Sequence, residues 1–320
     1  MGLKQVNLVV TCTKRKTQVA HPSLCIGSLS KSKTPQLVEK WLGKLEGVES
    51  PVTSAFDLYS GDHWKIAKSL PELAKDKGVD LRLWVCSAGY GLVSGDAAIK
   101  PYSATFSSGH VDSVLGRVFN ASSESVTQWW SGLSKWRGPV TGQPRTLRSL
   151  AQRFPNASLV VAASGVYLSA LEEDIASAKQ ELASQDSLVV VSGTGLLRGD
   201  LATNLISCDA RLQNLLGGAL MSLNIRIVRW LLETTRVWPL NVNRIQTRFR
   251  ELVESQPPLV HVSRTQITDE QVADFIKRKM RKLSGLTAGP LLRSLRDSGF
   301  ACEQKRFGRI FKEIREVARG

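Results

Sequence analysis

Two short stretches gather side chains suited to chemistry. In Phe56-Asp57-Leu58-Tyr59-Ser60-Gly61-Asp62-His63-Trp64, acids, an imidazole and aromatic rings fall close together. The second runs from Ser87-Ala88-Gly89-Tyr90-Gly91-Leu92 to Ile99-Lys100-Pro101-Tyr102-Ser103-Ala104-Thr105-Phe106 and separates aromatics with small residues. Neither repeats at the helical or the strand period, so both read as loops that carry function. An enzyme that works on a nucleobase must draw it out of the stack and hold it between aromatic or apolar side chains. Tyr59, Tyr90, Tyr102 and Phe106, with Ser87, Ser164 and Tyr167, are the expected pocket. Cleaving an N-glycosidic bond develops positive charge on the sugar, which a carboxylate beside C1′ stabilises while orienting water. Asp57 is the first candidate, Asp209 in Ser207-Cys208-Asp209-Ala210-Arg211 the second, and His63 a secondary acid or phosphate contact. Each has a plainer role: Asp57 fixing a turn, Asp209 capping a helix, His63 as a structural hydrogen bonder.

What must position these residues is an α/β core. Short apolar runs at 5–11, 80–87, 158–163 and 187–192 read as buried parallel strands. Helical stretches between them, including 34–46, 63–77, 122–133 and 168–184, predict a central parallel sheet covered on both faces. In such sheets the active crevice lies beyond the carboxyl ends of the strands. There stand Thr11-Cys12-Thr13-Lys14-Arg15-Lys16, Ser87 to Leu92, Ser164-Gly165-Val166-Tyr167 and Ser192-Gly193-Thr194-Gly195, all small, polar, glycine-rich or basic. Lys14, Arg15 and Lys16 are expected to clamp phosphates beside an extruded nucleotide. A lysine attacking C1′ to form a Schiff base is the alternative chemistry, but a sequence does not display the depressed pKa it requires. No P-loop or Rossmann fingerprint is present, so no nucleotide cofactor is expected. Trp129, Trp130 and Trp136 read as packing residues.

The 320 residues suffice for a large domain and a smaller one. With 42% hydrophobic residues, the chain has ample material for a core. Its 43 Lys and Arg against 28 Asp and Glu give +15, a surplus best neutralised by a phosphate backbone. From Asn241 onward, 17 Lys/Arg face 9 Asp/Glu, so about half of the surplus lies in the last quarter. A long amphipathic helix is expected over 210–238, with a boundary at Trp238-Pro239 dividing a catalytic domain, 1–238, from a helical DNA-binding domain, 239–320. Within the latter, helices are expected at 241–255, 268–284, 288–298 and 302–318. Residues 287–314 have the outline of a helix-turn-helix with Gly299 in the turn. Lys305, Arg306, Arg309 and Lys312 lie on its second helix as expected DNA contacts, opposite a stripe of Phe307, Ile310, Phe311 and Ile314. Five scattered cysteines indicate neither a disulfide framework nor a metal site. No apolar run reaches the ~18 residues of a membrane span, and no signal-peptide layout opens the chain, so a cytoplasmic protein is expected.

At Cys12 to Lys16, Asp57 to Trp64, Ser87 to Leu92 and Pro101 to Phe106, the chain resembles a family of bacterial proteins associated with the uracil-DNA-glycosylase-like fold and phage-defence loci. Among them is an anti-phage DNA glycosylase acting on glucosylated hydroxymethylcytosine. The resemblance covers about residues 5–215. It implies flipping of a modified cytosine in double-stranded phage DNA, hydrolysis of its bond to deoxyribose and an abasic product. Ordinary uracil-DNA glycosylases carry a Gly-Gln-Asp-type loop after the first strand, where this chain has Thr-Cys-Thr-Lys-Arg-Lys. The position of the catalytic acid is therefore open. Two other readings stand beside it, a non-catalytic DNA-binding stress or regulatory protein of the YaaA type and a tRNA base-exchange enzyme.

Overall fold

The computed structural model describes residues 4–193, 197–258, 263–282 and 286–317. It divides into two compact units, 1–257 and 258–320. In chain order the strands are β1 (Lys4–Thr11), β2 (Thr53–Ser54), β3 (Val79–Ser87), β4 (Gly91–Ser94), β5 (Ala98–Ile99), β6 (Ser158–Ala162), β7 (Leu188–Ser192), β8 (Leu205–Ser207), β9 (Thr265–Gln266) and β10 (Phe300–Ala301). The helices of the first unit are α1 (Thr34–Gly47), α2 (Ala55–Leu58), α3 (Asp62–Lys75), α4 (Ser123–Lys135), α5 (Leu147–Arg153), α6 (Gly165–Glu181), α7 (Gln213–Leu216), α8 (Leu223–Thr234) and α9 (Val242–Glu254).

The sheet order is β4-β3-β1-β6-β7-β8. Its inner strands are apolar along their length, as burial on both faces demands: Val6, Leu8, Val9 and Val10 of β1, and every residue of β6 and β7, are buried. All neighbours run parallel except β3 and β4. The expected wholly parallel sheet therefore has an antiparallel edge. Ser87 to Gly91 closes as a hairpin, with Ser87 paired to Gly91 at φ +71°. From β1 the chain crosses to β3 on one side, and later returns to β6 on the other, so the loops after β1 and β6 diverge. Such a reversal opens a crevice at the strands' carboxyl ends.

The helix expected over 210–238 is broken. Gly217 and Gly218 both take positive φ, and the segments 210–216 and 220–234 meet at 86°. Among the described residues no single helix is long and apolar enough to cross a membrane. The expected break at Trp238-Pro239 falls inside the first unit. Leu240, Val242, Ile245, Phe249 and Val253 join the main core, and the Leu240 N–H donates to Ser158 Oγ at 2.8 Å. The reason is local: α9 is amphipathic, and its apolar face joins the main core, where Phe249 meets Trp230 of α8.

In the second unit α10 (Asp269–Lys282), α11 (Ala288–Asp297) and α12 (Gln304–Val317) surround a separate small core. Val272 and Ile276 from α10, Leu291, Leu292 and Leu295 from α11, and Phe307, Ile310 and Phe311 from α12 fill it. Gly299, at φ +85°, makes the turn after α11, and β10 pairs parallel with β9.

Candidate functional site

Three of the four segments expected beyond the strands meet over the carboxyl ends of β1, β3 and β6. In the fourth, Thr194 and Gly195 lie outside the described residues, and Gly193 follows β7 as an exposed bend. Residues 13–17 are held by residues 57–60. Ser60 N–H donates to Arg15 O at 3.0 Å, Thr17 N–H to Leu58 O at 2.9 Å, and Thr13 Oγ1 to Ser60 O at 3.1 Å. A basic loop is thus fixed in shape by the acid- and aromatic-rich stretch. Lys14 and Arg15 stay exposed on it while Lys16 turns inward.

Beneath that loop lies a hydrogen-bonded aromatic cluster. Tyr102 Oη is 2.6 Å from Ser87 Oγ and 2.9 Å from Tyr59 Oη. Ser87 Oγ also accepts from Gly89 N–H at 3.2 Å and Tyr90 N–H at 3.0 Å, which closes the hairpin. Tyr90 meets the Tyr102 ring edge-on at 5.2 Å between centroids. Across the switch point, Cys12 Sγ lies 3.0 Å from Tyr167 Oη and accepts from Ala88 N–H at 3.4 Å. Phe106 packs on Tyr167 at 4.9 Å. Burial pushes the phenols of Tyr59, Tyr102 and Tyr167 well above their ordinary range, so all three stay neutral donors.

Lys16 Nζ lies over the Tyr102 ring at 4.4 Å and donates to Thr13 O at 3.2 Å. Burial lowers its pKa, against the opposing pull of Cys12, Asp112 and Cys25. Asp112 is 8% exposed and accepts from Gly27 N–H at 3.0 Å and Ser103 Oγ at 2.7 Å. It is a buried carboxylate that sequence reasoning missed, because His110-Val111-Asp112-Ser113 carries no periodic or motif signal. Cys12 and Asp112 thus join the expected residues at the site.

Aromatic and guanidinium side chains hold the hairpin from behind. Trp41 and Trp129 donate their indole N–H groups to Gly89 O and Ala88 O at 2.7 and 2.8 Å. Gly89 is required there, since a Cβ would sit 2.5 Å from the Tyr102 ring. Arg145 donates to the carbonyls of Tyr90, Leu92, Leu133 and Trp136, and burial lowers its pKa to about 10. Sequence reasoning missed this residue as well.

Several expected residues stand elsewhere or in other roles. Asp57 is exposed on α2, where its carboxylate accepts from Ser54 Oγ, the capping residue whose Oγ in turn accepts from Asp57 N–H. Asp209 caps the turn at Ala210–Leu212 and is held ionised by Arg211, whose hydrogen bonds lower its pKa. Both therefore fill the plainer roles. His63 sits in the first turn of α3 with neither ring nitrogen hydrogen-bonded, and burial lowers its pKa to about 4. Ser164 is the exposed N-cap residue of α6. The expected base pocket is a correction too. Tyr59, Tyr102 and Phe106 are at most 2% exposed, with Tyr59 and Tyr102 hydrogen-bonded to each other and Phe106 set against Tyr167, so they form a wall instead of an open slot.

On α12 the expected DNA contacts are mostly engaged. Arg306 and Arg309 both bind Asp269 at the start of α10, and Arg309 also pairs with Glu313. Lys312 lies 3.7 Å from Glu316, while Lys305 is exposed. Arg306 additionally donates to Ile267 O at 2.8 Å, which makes it a fastener of the unit. Exposed Lys277, Arg278 and Arg281 instead line a groove with Phe275 and Phe300, on α10. Among the described residues no carboxylate lies within ion-pair distance of these three cations.

No family model matches the chain, and neither a curated protein nor a solved structure does.

Proposed function

We propose that the chain is a DNA glycosylase that excises a modified base, glucosylated hydroxymethylcytosine by the resemblance, from phage DNA in anti-phage defence. One observation carries this reading. The segments 12–16, 57–64, 87–92 and 101–106, far apart in sequence and bearing the resemblance, fold into one cluster at the crevice-forming edge of an α/β sheet. Neutral phenols, a thiol, an inward lysine and a buried carboxylate there offer hydrogen-bond donors, an amine and an acceptor for a sugar and a departing base. Exposed Lys14 and Arg15 above the cluster suit the flanking phosphates. The net charge of +15 supports a polyanionic partner. In the second unit, a helix-turn-helix-like module by this reading, the exposed cations of α10 and Lys305 of α12 are among those free for phosphates. The C-terminal contact accordingly moves from the face expected on sequence grounds to the α10 groove.

The closed packing of the tyrosine wall favours one rival, a DNA-binding protein without catalysis. Incubation with T-even phage DNA, glucosylated or unmodified, followed by scoring of alkali-labile breaks, separates the two. Breaks confined to glucosylated DNA support the glycosylase, and none on any modified substrate refutes it.

A further inference from the structure

Lys16 is out of place as a phosphate clamp. Its ammonium group is drawn under the loop, over the faces of Tyr102 at 4.4 Å and Tyr59 at 5.7 Å, and its hydrogen-bonding oxygen is one backbone carbonyl, Thr13 O at 3.2 Å. Among the described residues no carboxylate lies within ion-pair distance of it, although Asp112 is near enough to be felt. The aromatic faces, the carbonyl and Asp112 favour the ammonium, but loss of solvent outweighs them and shifts the group toward the free amine, the nucleophilic form. The adjacent residues Lys14 and Arg15 remain in solvent, so this inward turn belongs to Lys16 and not to the loop as a whole. Burial of the same group lowers its pKa.

We propose that Lys16 is a covalent nucleophile that bonds to C1′ of deoxyribose, so that base removal proceeds through a lysine–sugar iminium instead of direct attack by water. This rests on the reading of the site as one that acts on nucleotides of DNA. Nζ, as the free amine, bonds to C1′ while the C1′–N bond to the base breaks. The base leaves with that electron pair and takes up the proton shed by the newly cationic Nζ. The C1′–O4′ bond then opens, the nitrogen lone pair forms the C=N bond, and O4′ collects a proton from water. Hydrolysis of the iminium returns the amine and leaves the sugar aldehyde. A preformed abasic site reaches the same iminium by a shorter route, amine plus aldehyde with loss of water.

The test uses the full chain, a duplex oligonucleotide carrying one abasic site, and sodium borohydride, whose hydride reduces C=N to a stable secondary amine. A cross-linked species on a denaturing gel is expected, and peptide mass mapping is expected to place the adduct on Lys16. Lys16→Arg, which keeps the charge and loses the nucleophile, should abolish it, while Lys75→Arg, at the exposed C-terminal end of α3, should not. Mapping on the unmodified protein keeps the test valid if Lys16→Arg folds poorly. Absence of an adduct, or an adduct on another lysine, overturns the proposal. Base release from modified DNA without an adduct likewise overturns it while leaving the glycosylase reading intact. An adduct on Lys16 with no base released from any substrate upholds the amine chemistry and refutes base removal.

Discussion

Replacing Tyr102 by Phe removes one oxygen and leaves the ring, so it isolates the polar contribution of the buried cluster. Ser87 Oγ already accepts from Gly89 N–H and Tyr90 N–H, so its own hydrogen goes to Tyr102 Oη at 2.6 Å. Tyr102 in turn passes its hydrogen to Tyr59 Oη at 2.9 Å. Without that oxygen, a buried Ser87 hydroxyl and a buried Tyr59 hydroxyl both lose a partner. At roughly 1–3 kcal/mol per orphaned group, less some relaxation of Tyr59 toward Ser87, the expected loss is about 2–4 kcal/mol. Tyr59→Phe orphans only the Tyr102 hydrogen and should cost about 1–2 kcal/mol. The double variant should be less destabilised than the sum, by ~1 kcal/mol, because each change removes the other's stranded group. All eight tryptophans lie in the first unit, so urea unfolding followed by tryptophan fluorescence reports on that unit alone. A lowered midpoint with an unchanged slope is expected. A loss for Tyr102→Phe within ~0.5 kcal/mol of zero, or a larger loss for Tyr59→Phe, would refute the network as drawn.

Further outcomes follow from other residues. The native pKa of His63, about 4, lies below its unfolded value of 6.5, so protons favour the unfolded chain. Stability from this residue is complete above pH 6.5 and falls as pH drops toward 4, by ~2–3 kcal/mol in all, so His63→Phe should flatten urea midpoints compared between pH 7 and pH 4.5. Arg145→Met strands carbonyls of the hairpin and of α4 and should cost on the order of 3–5 kcal/mol in the same unfolding assay; a smaller loss than Tyr59→Phe would contradict its bracing role. Changing Lys277, Arg278 and Arg281 to Gln should weaken DNA binding across sequences and reduce the slope of log K against log salt by up to ~3, whereas Lys305→Gln alone should reduce it by ~1 at most. Arg306→Ala should lower the stability of the second unit, read by helix content on heating. An unaltered melt would leave it free for DNA.

The sheet was readable because β6, β7 and the second halves of β1 and β3 are runs of apolar residues bounded by small ones. Burial on both faces leaves that imprint on composition. The antiparallel β4 was hidden, since Gly91-Leu92-Val93-Ser94 follows a glycine-rich turn that resembles a ligand loop. Amphipathicity located α9 but not the surface it covers, which is why the boundary drifted from 257 to 238. Ser87, Tyr167 and Lys16 were placed in one site by the rule that chemistry gathers at strand ends, and Tyr59 and Tyr102 by the density of aromatics in aperiodic segments. Which of them face solvent was not legible, because a tyrosine wall and a tyrosine slot share one sequence. Asp57 and Asp209 show the same limit, for a carboxylate that caps a turn and one that serves a sugar differ only in their surroundings. Asp112 and Arg145 left no mark, as each acts through contacts distant in sequence.

The central claim is that the cluster around Tyr102 and Lys16 separates a base from DNA. Mass spectrometry of the small molecules freed from glucosylated phage DNA tests it most directly, with the intact chain set against Lys16→Arg. Free glucosylated hydroxymethylcytosine from the first and none from the second is the expected result. A supernatant without free base, from an intact chain that demonstrably binds the DNA, contradicts it.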